Sequence, residues 1–167
     1  NNNNVVLDLM NVAQDPKDAN HYFVTSYGTG LYEIKQDSII NTYLPNNSPL
    51  HSAAPAVPLT FTRTDGITYD NEGNLWILNN GGSLIKYIDK NGVYHSMPYD
   101  VSASTPEDIV ISNSNANQKF VLITRYKGSN STLLFSFDDN GTLDQTFDDK
   151  TVSLTTIFDQ DNKEINF

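Results

Sequence analysis

The nine residues DNEGNLWIL, from Asp70 to Leu78, combine a tight turn with the strand that follows it. A shorter strand precedes the turn from Asp65, and two more follow as Ser83 to Asp89 and Val93 to Tyr99. Short runs rich in Val, Ile, Tyr and Trp between Gly- and Asn-containing turns are typical of antiparallel strands. The stretch therefore predicts one four-stranded antiparallel unit.

The same pattern recurs before and after this unit, so the chain is a repeat protein. The second strands of successive units align at Phe23, Trp76, Val121 and Ile165, which are 53, 45 and 44 residues apart. A period of about 40–50 residues is that of a β-propeller blade. No stretch has apolar residues at helical spacing over a dozen positions, so we expect almost no helix. The predicted fold class is an all-β propeller fragment.

The repeat predicts three complete four-stranded blades, at about residues 5–44, 63–99 and 105–149. An insertion loop at 45–62 explains the longest interval, because its prolines oppose regular strand pairing. The last strand of the third blade is predicted at Leu143 to Phe147. Residues 152–167 then begin a fourth blade, with strands at Leu154 to Asp159 and Glu164 to Phe167.

Such a ring is incomplete, because propellers need at least about four blades. An open ring exposes the sheet faces that normally pack against neighbouring blades. The expected partners are therefore the remaining blades of the same propeller or a second copy of the chain. Since Asn1 to Asn4 form neither a Met start nor a signal peptide, we interpret the chain as a mature product or part of something longer.

Charge and composition exclude several classes of partner. Twenty Asp and Glu against ten Lys and Arg leave a net charge of -10, and no basic stripe offsets it, which argues against nucleic acid. No apolar run approaches the roughly 18 residues of a membrane span. The chain has no Cys, which excludes disulfides and thiolate metal sites.

Asp70 to Leu78, with the Gly-rich turn at Gly81-Gly82, resembles the two-component-regulator propeller repeat of Bacteroidetes. Within that family the chain is similar to the propeller-bearing surface component of type IX secretion, through Asp15-Pro16, the turn at Tyr27 to Leu31 and Asn47 to Leu50. It also resembles the periplasmic sensor region of hybrid two-component systems. The resemblance implies a periplasmic or cell-surface module that binds a protein partner or a glycan. In the third blade Val121 replaces the aromatic residue, so this blade departs from the repeat pattern.

Arg63, Asp65 and Arg125 are the candidate ligand-binding residues, because they lie at strand ends that can line the mouth of a propeller. Arginine suits bidentate capture of carboxylate or phosphate, which favours a small anionic or sugar-acid ligand. The alternative is an Arg–Asp pair that joins adjacent blades. The loop from Pro49 to Thr62 is a further candidate contact element. The single tryptophan, Trp76, is expected to pack in the core rather than to stack on a sugar.

We expect no metal, no cofactor and no catalysis. His21, His51 and His95 lack metal-site spacing, and the Asp-to-Gly turns fail the calcium-loop pattern and fit a role as turns. No Gly-x-Ser-x-Gly elbow occurs. The alternative is a carbohydrate-active lyase or glycosidase with Arg63, Asp65 and Arg125 near the reacting carbohydrate. The carboxylate pair of a glycosidase would be drawn from Glu33, Glu72, Glu107 and Glu164, which can meet only in the tertiary fold. A purely structural role is the third hypothesis.

Overall fold

The computed structural model describes residues 8–54, 61–99, 104–125, 127, 129–143 and 145–165, and these residues form strands and turns without a helix. The all-β prediction is confirmed. The twelve strands are β1 (Leu9–Gln14), β2 (His21–Gly28), β3 (Gly30–Lys35), β4 (Ser38–Tyr43), β5 (Thr62–Tyr69), β6 (Leu75–Asn80), β7 (Ile85–Ile88), β8 (Tyr94–Ser96), β9 (Thr105–Ile111), β10 (Gln118–Arg125), β11 (Leu133–Asp138) and β12 (Lys150–Thr156).

The strands pair in three antiparallel meanders of four: β1–β4, β5–β8 and β9–β12, called here the first, second and third meander. Two residue pairs between β2 and β5, Tyr27 with Arg63 and Gly28 with Thr62, join the first two meanders into one eight-stranded sheet. The third meander is a separate four-stranded sheet. This arrangement is consistent with a propeller fragment.

The prediction of a strand at Leu143 to Phe147 is wrong. The fourth strand of the third meander is β12, which pairs with β11 from Leu133 opposite Thr156 to Asp138 opposite Lys150. The connection between β11 and β12 is a longer turn than the sequence predicts. Within it, the Thr142 hydroxyl lies 2.8 and 2.9 Å from the two carboxylate oxygens of Asp148. The Leu143 carbonyl accepts a hydrogen bond from the Tyr87 hydroxyl at 2.9 Å, so this segment contacts the second meander instead of extending the sheet.

The residues predicted to begin a further blade are also corrected. The first half of the segment from Leu154 to Asp159 does not start a new sheet, because β12 runs to Thr156 beside β11. Glu164 forms an isolated bridge with Phe158 across a turn, and the end of the predicted second strand, residues 166–167, lies outside the described residues.

The Asp-to-Gly turns have the role that the sequence predicts. In the turn at Asp70, the Oδ1 atom accepts hydrogen bonds from the backbone N–H groups of Glu72 and Asn74, both at 2.9 Å. Asp89 repeats this geometry with Asn91 and Val93. Gly73 has a φ of 90°, in the left-handed region that glycine adopts without strain. A short polar side chain thus closes each hairpin.

Two hydrophobic cores hold the three meanders together. The core between the first and second meanders includes Phe23, Leu31 and Ile77, and the core between the second and third includes Trp76 and Phe137. The second meander is therefore buried on both faces, and all four residues of β7 are buried. Trp76 is fully buried, which confirms its predicted place in the core.

The first and third meanders each keep one apolar face that no described residue covers. On the outer face of the first meander, neighbouring strands align Val12 with Val24 and Tyr22 with Ile34, and Val12 is 62% exposed. On the outer face of the third, Phe120 lies opposite Val110, which is 56% exposed. Contiguous exposed apolar faces mark contact surfaces.

The first strands of the second and third meanders approach each other backbone to backbone at Gly66. A Cβ atom at this position would lie 2.7 Å from the Asp108 Cα and 2.7 Å from the Ile109 nitrogen, closer than real side chains come. Only glycine allows this approach of β5 to β9. Because β1 also packs beside β5, the first strands β1, β5 and β9 are called here the inner strands.

Candidate functional site

Arg63 and Asp65 lie on the same inner strand, β5, and do not form the ion pair between adjacent units that the sequence allowed. The Arg63 guanidinium lies over the ring of Tyr27, 4.1 Å from its centroid, and over the ring of Phe61 at 4.7 Å. No ion pair joins it to Asp65 within the described part of the chain. Its cationic group is held by aromatic faces.

Arg125 lies apart from this pair. It is the exposed last residue of β10, and its nearest described polar partner is Asn130, at 3.5 Å. No contact with Arg63 or Asp65 is found among the described residues. The structure therefore brings two of the three predicted residues onto one strand and leaves the third on the surface.

Asp65 is an uncommon carboxylate because it is 2% exposed and its Oδ2 atom has no hydrogen-bond partner among the described residues. Burial and, to a smaller extent, the charge of Glu107 raise the pKa of Asp65 to about 7, with Arg63 partly opposing both. Glu107, on the neighbouring inner strand β9, accepts a hydrogen bond from the Thr124 hydroxyl at 2.7 Å. Sequence analysis named Glu107 only as one of four glutamates whose meeting depends on the tertiary fold.

A cleft of about 230 Å³ opens between the first and second meanders at their hairpin ends, called here the His21 cleft. His21, the first residue of β2, bridges two carboxylates: its Nδ1 atom lies 2.9 Å from Asp15 and its Nε2 atom 2.8 Å from Glu33. The Tyr43 hydroxyl donates a hydrogen bond to Glu33. The aromatic rings of Phe23, Tyr43, Tyr69 and Tyr94 also line this cleft.

The network of the His21 cleft shifts the pKa values of its members. Burial alone would lower the pKa of His21, but its hydrogen bonds to Asp15 and Glu33 and their charges raise it above the ordinary value. Burial of Glu33 acts to raise its pKa, and the hydrogen bonds from Tyr43, Asn41 and His21 lower it below the ordinary value. Burial also raises the pKa of Tyr69. The network therefore favours the imidazolium form of His21, held between two carboxylates.

We expect the His21→Gln substitution to flatten the pH dependence of stability between pH 6 and 8. Because folding raises the pKa of His21, its contribution is complete below the unfolded pKa of about 6.5 and is lost as pH rises through the higher folded value. Urea denaturation at pH 5.5 and 8.5 measures the effect, which we expect to be about 1 kcal/mol.

The His51→Gln variant is the matched control. Burial and the charge of Lys86 lower the pKa of His51, so its titration changes stability in the opposite direction, with a loss on acidification. If wild type and His21→Gln lose the same stability between pH 5.5 and 8.5, the bridging role of His21 is wrong.

A second cleft, of about 300 Å³, lies between the second and third meanders at the same end. Its lining includes Lys119 and Asp139, which form an ion pair with side chains only 1% and 2% exposed. The Lys119 Nζ atom also lies 4.8 Å from the centre of the Trp76 ring. The Trp76 indole donates a hydrogen bond to Asp70 Oδ2 at 2.9 Å. The polar side chains of this cleft are therefore already paired with one another. Their main effect is to stabilise the contact between the second and third meanders.

The insertion loop contributes to the fold as well as to the surface. Leu50 is 2% exposed and belongs to the core of the first two meanders. His51 exchanges two hydrogen bonds with the Asn79 side chain, at 2.7 and 3.1 Å. The start of the predicted contact loop is therefore anchored, whereas residues 55–60 lie outside the described residues.

Two sequence expectations concern metals and membranes. Across the described ranges no group of three or more His, Asp or Glu side chains is arranged to hold a metal ion. The same ranges contain no helix with the length and apolar character needed to cross a bilayer.

Comparison with known proteins adds one structural neighbour. No protein-family model matches the chain, and no curated protein matches it either. The chain is similar to the solved structure of PorZ, described as an essential bacterial surface component of the type IX secretion system of the human oral bacterium Porphyromonas gingivalis. The TM-score is 0.74 at 26% identity over 93% of this chain, which spans 21% of the length of that chain.

Proposed function

We propose that the chain is part of a non-catalytic β-propeller module that recognises a partner outside the cytoplasm as part of a secretion-associated surface component. The observation that carries the proposal is the likeness to PorZ over 93% of the chain at a TM-score of 0.74. PorZ is a surface component of type IX secretion, which supports a periplasmic or cell-surface location here. We also propose that the blades belong to the two-component-regulator repeat, because the motif at Asp70 to Leu78 resembles it.

In this proposal the three meanders are propeller blades. Each has four antiparallel strands, and each pair of neighbours packs face to face through one apolar core. The same packing step applied to the outer faces at Val12 and Val110 would place further blades there, from the same polypeptide or from a second copy. Light scattering of the full-length protein distinguishes the two sources, because a monomer requires its own blades and a dimer points to a second copy.

The hairpin ends of the blades are the proposed recognition surface. The His21 cleft lies at this end and combines aromatic rings with a polar network, the composition that binding sites favour. A rigid stack of sheets would hold these groups in place for a protein partner or a glycan. A glycan sensor in a hybrid two-component system remains the second candidate function, because the same cleft suits it.

Gene deletion in the producing organism tests the secretion role. We expect loss of type IX cargo from the medium, with recovery when the full-length gene is returned. Protease treatment of intact cells is expected to cleave the protein while a periplasmic marker stays intact. Normal cargo secretion in the deletion strain would contradict the secretion role, and protection from protease would contradict surface exposure.

A turnover assay on acidic and neutral glycans tests the non-catalytic part of the proposal. We expect no product above the buffer control. Turnover that disappears in the Arg125→Ala or Glu33→Gln variant would instead assign a carbohydrate-active enzyme.

A further inference from the structure

The inner strands of the three meanders all carry a β-bulge at the same level. In β5 the pairing passes from Thr64 opposite Asn79 to Ile67 opposite Ile77, so Asp65 and Gly66 share one opposing residue. In β9, Asp108 pairs with Leu122 and Pro106 pairs with Ile123, which are consecutive residues of β10. Glu107 is therefore the extra residue of this bulge. β-Bulges redirect side chains and are common beside functional sites.

The first inner strand has a bulge too. Its pairing with β2 passes from Leu9 opposite Ser26 to Val12 opposite Val24, so Met10 and Asn11 face one residue. The first strands of all three meanders therefore have a β-bulge at the equivalent place. Two of these three bulges contain an acidic residue.

The two carboxylates lie on strands in backbone contact. Gly66, next to Asp65, touches Asp108, next to Glu107, and this contact brings the two bulges together. Their charges act on each other, since Glu107 raises the pKa of Asp65. The Thr124 hydroxyl orients Glu107 through its 2.7 Å hydrogen bond to Oε1.

Asp65 differs in its partners from Lys119 and His21, two other charged groups in the described part of the fold. Lys119 is paired with Asp139, and His21 lies between Asp15 and Glu33. Among the described residues the Asp65 Oδ2 atom has no hydrogen-bond partner, and the nearby Arg63 guanidinium is stacked on Tyr27 and Phe61. A buried carboxylate without a counterion is costly, so the ionised form of Asp65 favours a positive charge at this position.

We propose that Asp65 and Glu107, presented by matched bulges of neighbouring inner strands, bind a divalent cation of the calcium class. Carboxylate oxygens are the donors that such hard cations prefer, and water completes their coordination. The cation would cancel the repulsion between the two carboxylates and hold β5 against β9. This site is separate from the His21 cleft and does not depend on the secretion role.

Calcium titration of the full-length, metal-free protein tests the proposal at pH 8, which lies above the raised pKa of Asp65. With calcium about 100-fold above the dissociation constant, we expect Tm to rise by roughly 5–10 °C. Native mass spectrometry is expected to show one calcium ion per chain at this site. We expect the isosteric Asp65→Asn variant to lose both effects.

Glu72→Gln is the control, because Glu72 is an exposed acid in a hairpin turn and we expect this variant to keep the wild-type response. Glu107→Gln is the second test variant if Asp65→Asn fails to fold. An unchanged Tm of the wild type with calcium would overturn the proposal. So would an equal rise in wild type, Asp65→Asn and Glu107→Gln, which would mean diffuse binding to an acidic surface.

Discussion

Replacing Lys119 by methionine is expected to lower the free energy of unfolding by about 3–5 kcal/mol. The substitution keeps most of the side-chain volume but leaves the Asp139 carboxylate, 2% exposed, without its counterion. It also removes the ammonium group from the face of Trp76. Urea denaturation followed by circular dichroism measures the loss independently of the tryptophan environment.

The double variant Lys119→Met/Asp139→Asn tests the cause of that loss. Asparagine keeps the Oδ1 atom that accepts the Gly141 N–H at 3.0 Å and removes the unpaired charge. We expect the double variant to recover at least about 2 kcal/mol of the loss, since the penalty lies in the unpaired charge. Lys90→Met, in an exposed turn, is expected to stay within about 0.5 kcal/mol of wild type. A single variant as stable as wild type would contradict the role of the pair.

The Trp76→Ala substitution is expected to cost about 3–5 kcal/mol or to abolish cooperative unfolding. Trp76 is fully buried and packs against Tyr87 and Phe137, with ring centroids 5.1 and 6.0 Å away. Alanine would leave a cavity between the second and third meanders and would remove the indole hydrogen bond to Asp70. Urea denaturation followed by circular dichroism measures the loss.

Trp76→Phe separates these two contributions, because it keeps a ring in the core and loses the indole N–H. We expect a loss of about 1–3 kcal/mol, smaller than that of alanine. Phe147→Ala is the matched surface control, because Phe147 is 86% exposed, and we expect it to stay within about 0.5 kcal/mol of wild type. Equal losses for the alanine and phenylalanine variants would show that the hydrogen bond, not the packing, carries the effect.

Local patterns predicted the elements and turns of this fold well. The strand at Trp76 and the Asp70 and Asp89 turns depend on residues close in sequence, so their patterns were readable. The fourth strand of the third meander was misplaced, because Leu143 is bound by Tyr87, 56 residues earlier in the chain. A strand boundary that depends on contact with a distant meander is hard to predict from the local sequence.

The candidate sites were harder to predict than the strands. Arg63 and Asp65 were noticed from their position at a strand start, but the sequence paired them with Arg125 instead of Glu107. The bulges that align Asp65 with Glu107 depend on the register between strands and on the contact at Gly66. The His21 cleft was missed because Asp15, His21 and Glu33 meet only when three strands of one meander pair.

By itself the sequence determined the all-β class, the four-stranded repeat, the hairpin turns and the acidic surface, because each depends on neighbouring residues or on composition. Only the tertiary structure decided which charged groups have partners: Lys119 pairs with Asp139, His21 bridges two carboxylates, and the Asp65 Oδ2 atom has no hydrogen-bond partner among the described residues. The burial and pairing of charged side chains depend on how the meanders pack against one another. This packing brings together residues that are far apart in the chain, and no local sequence pattern indicates that they are in contact.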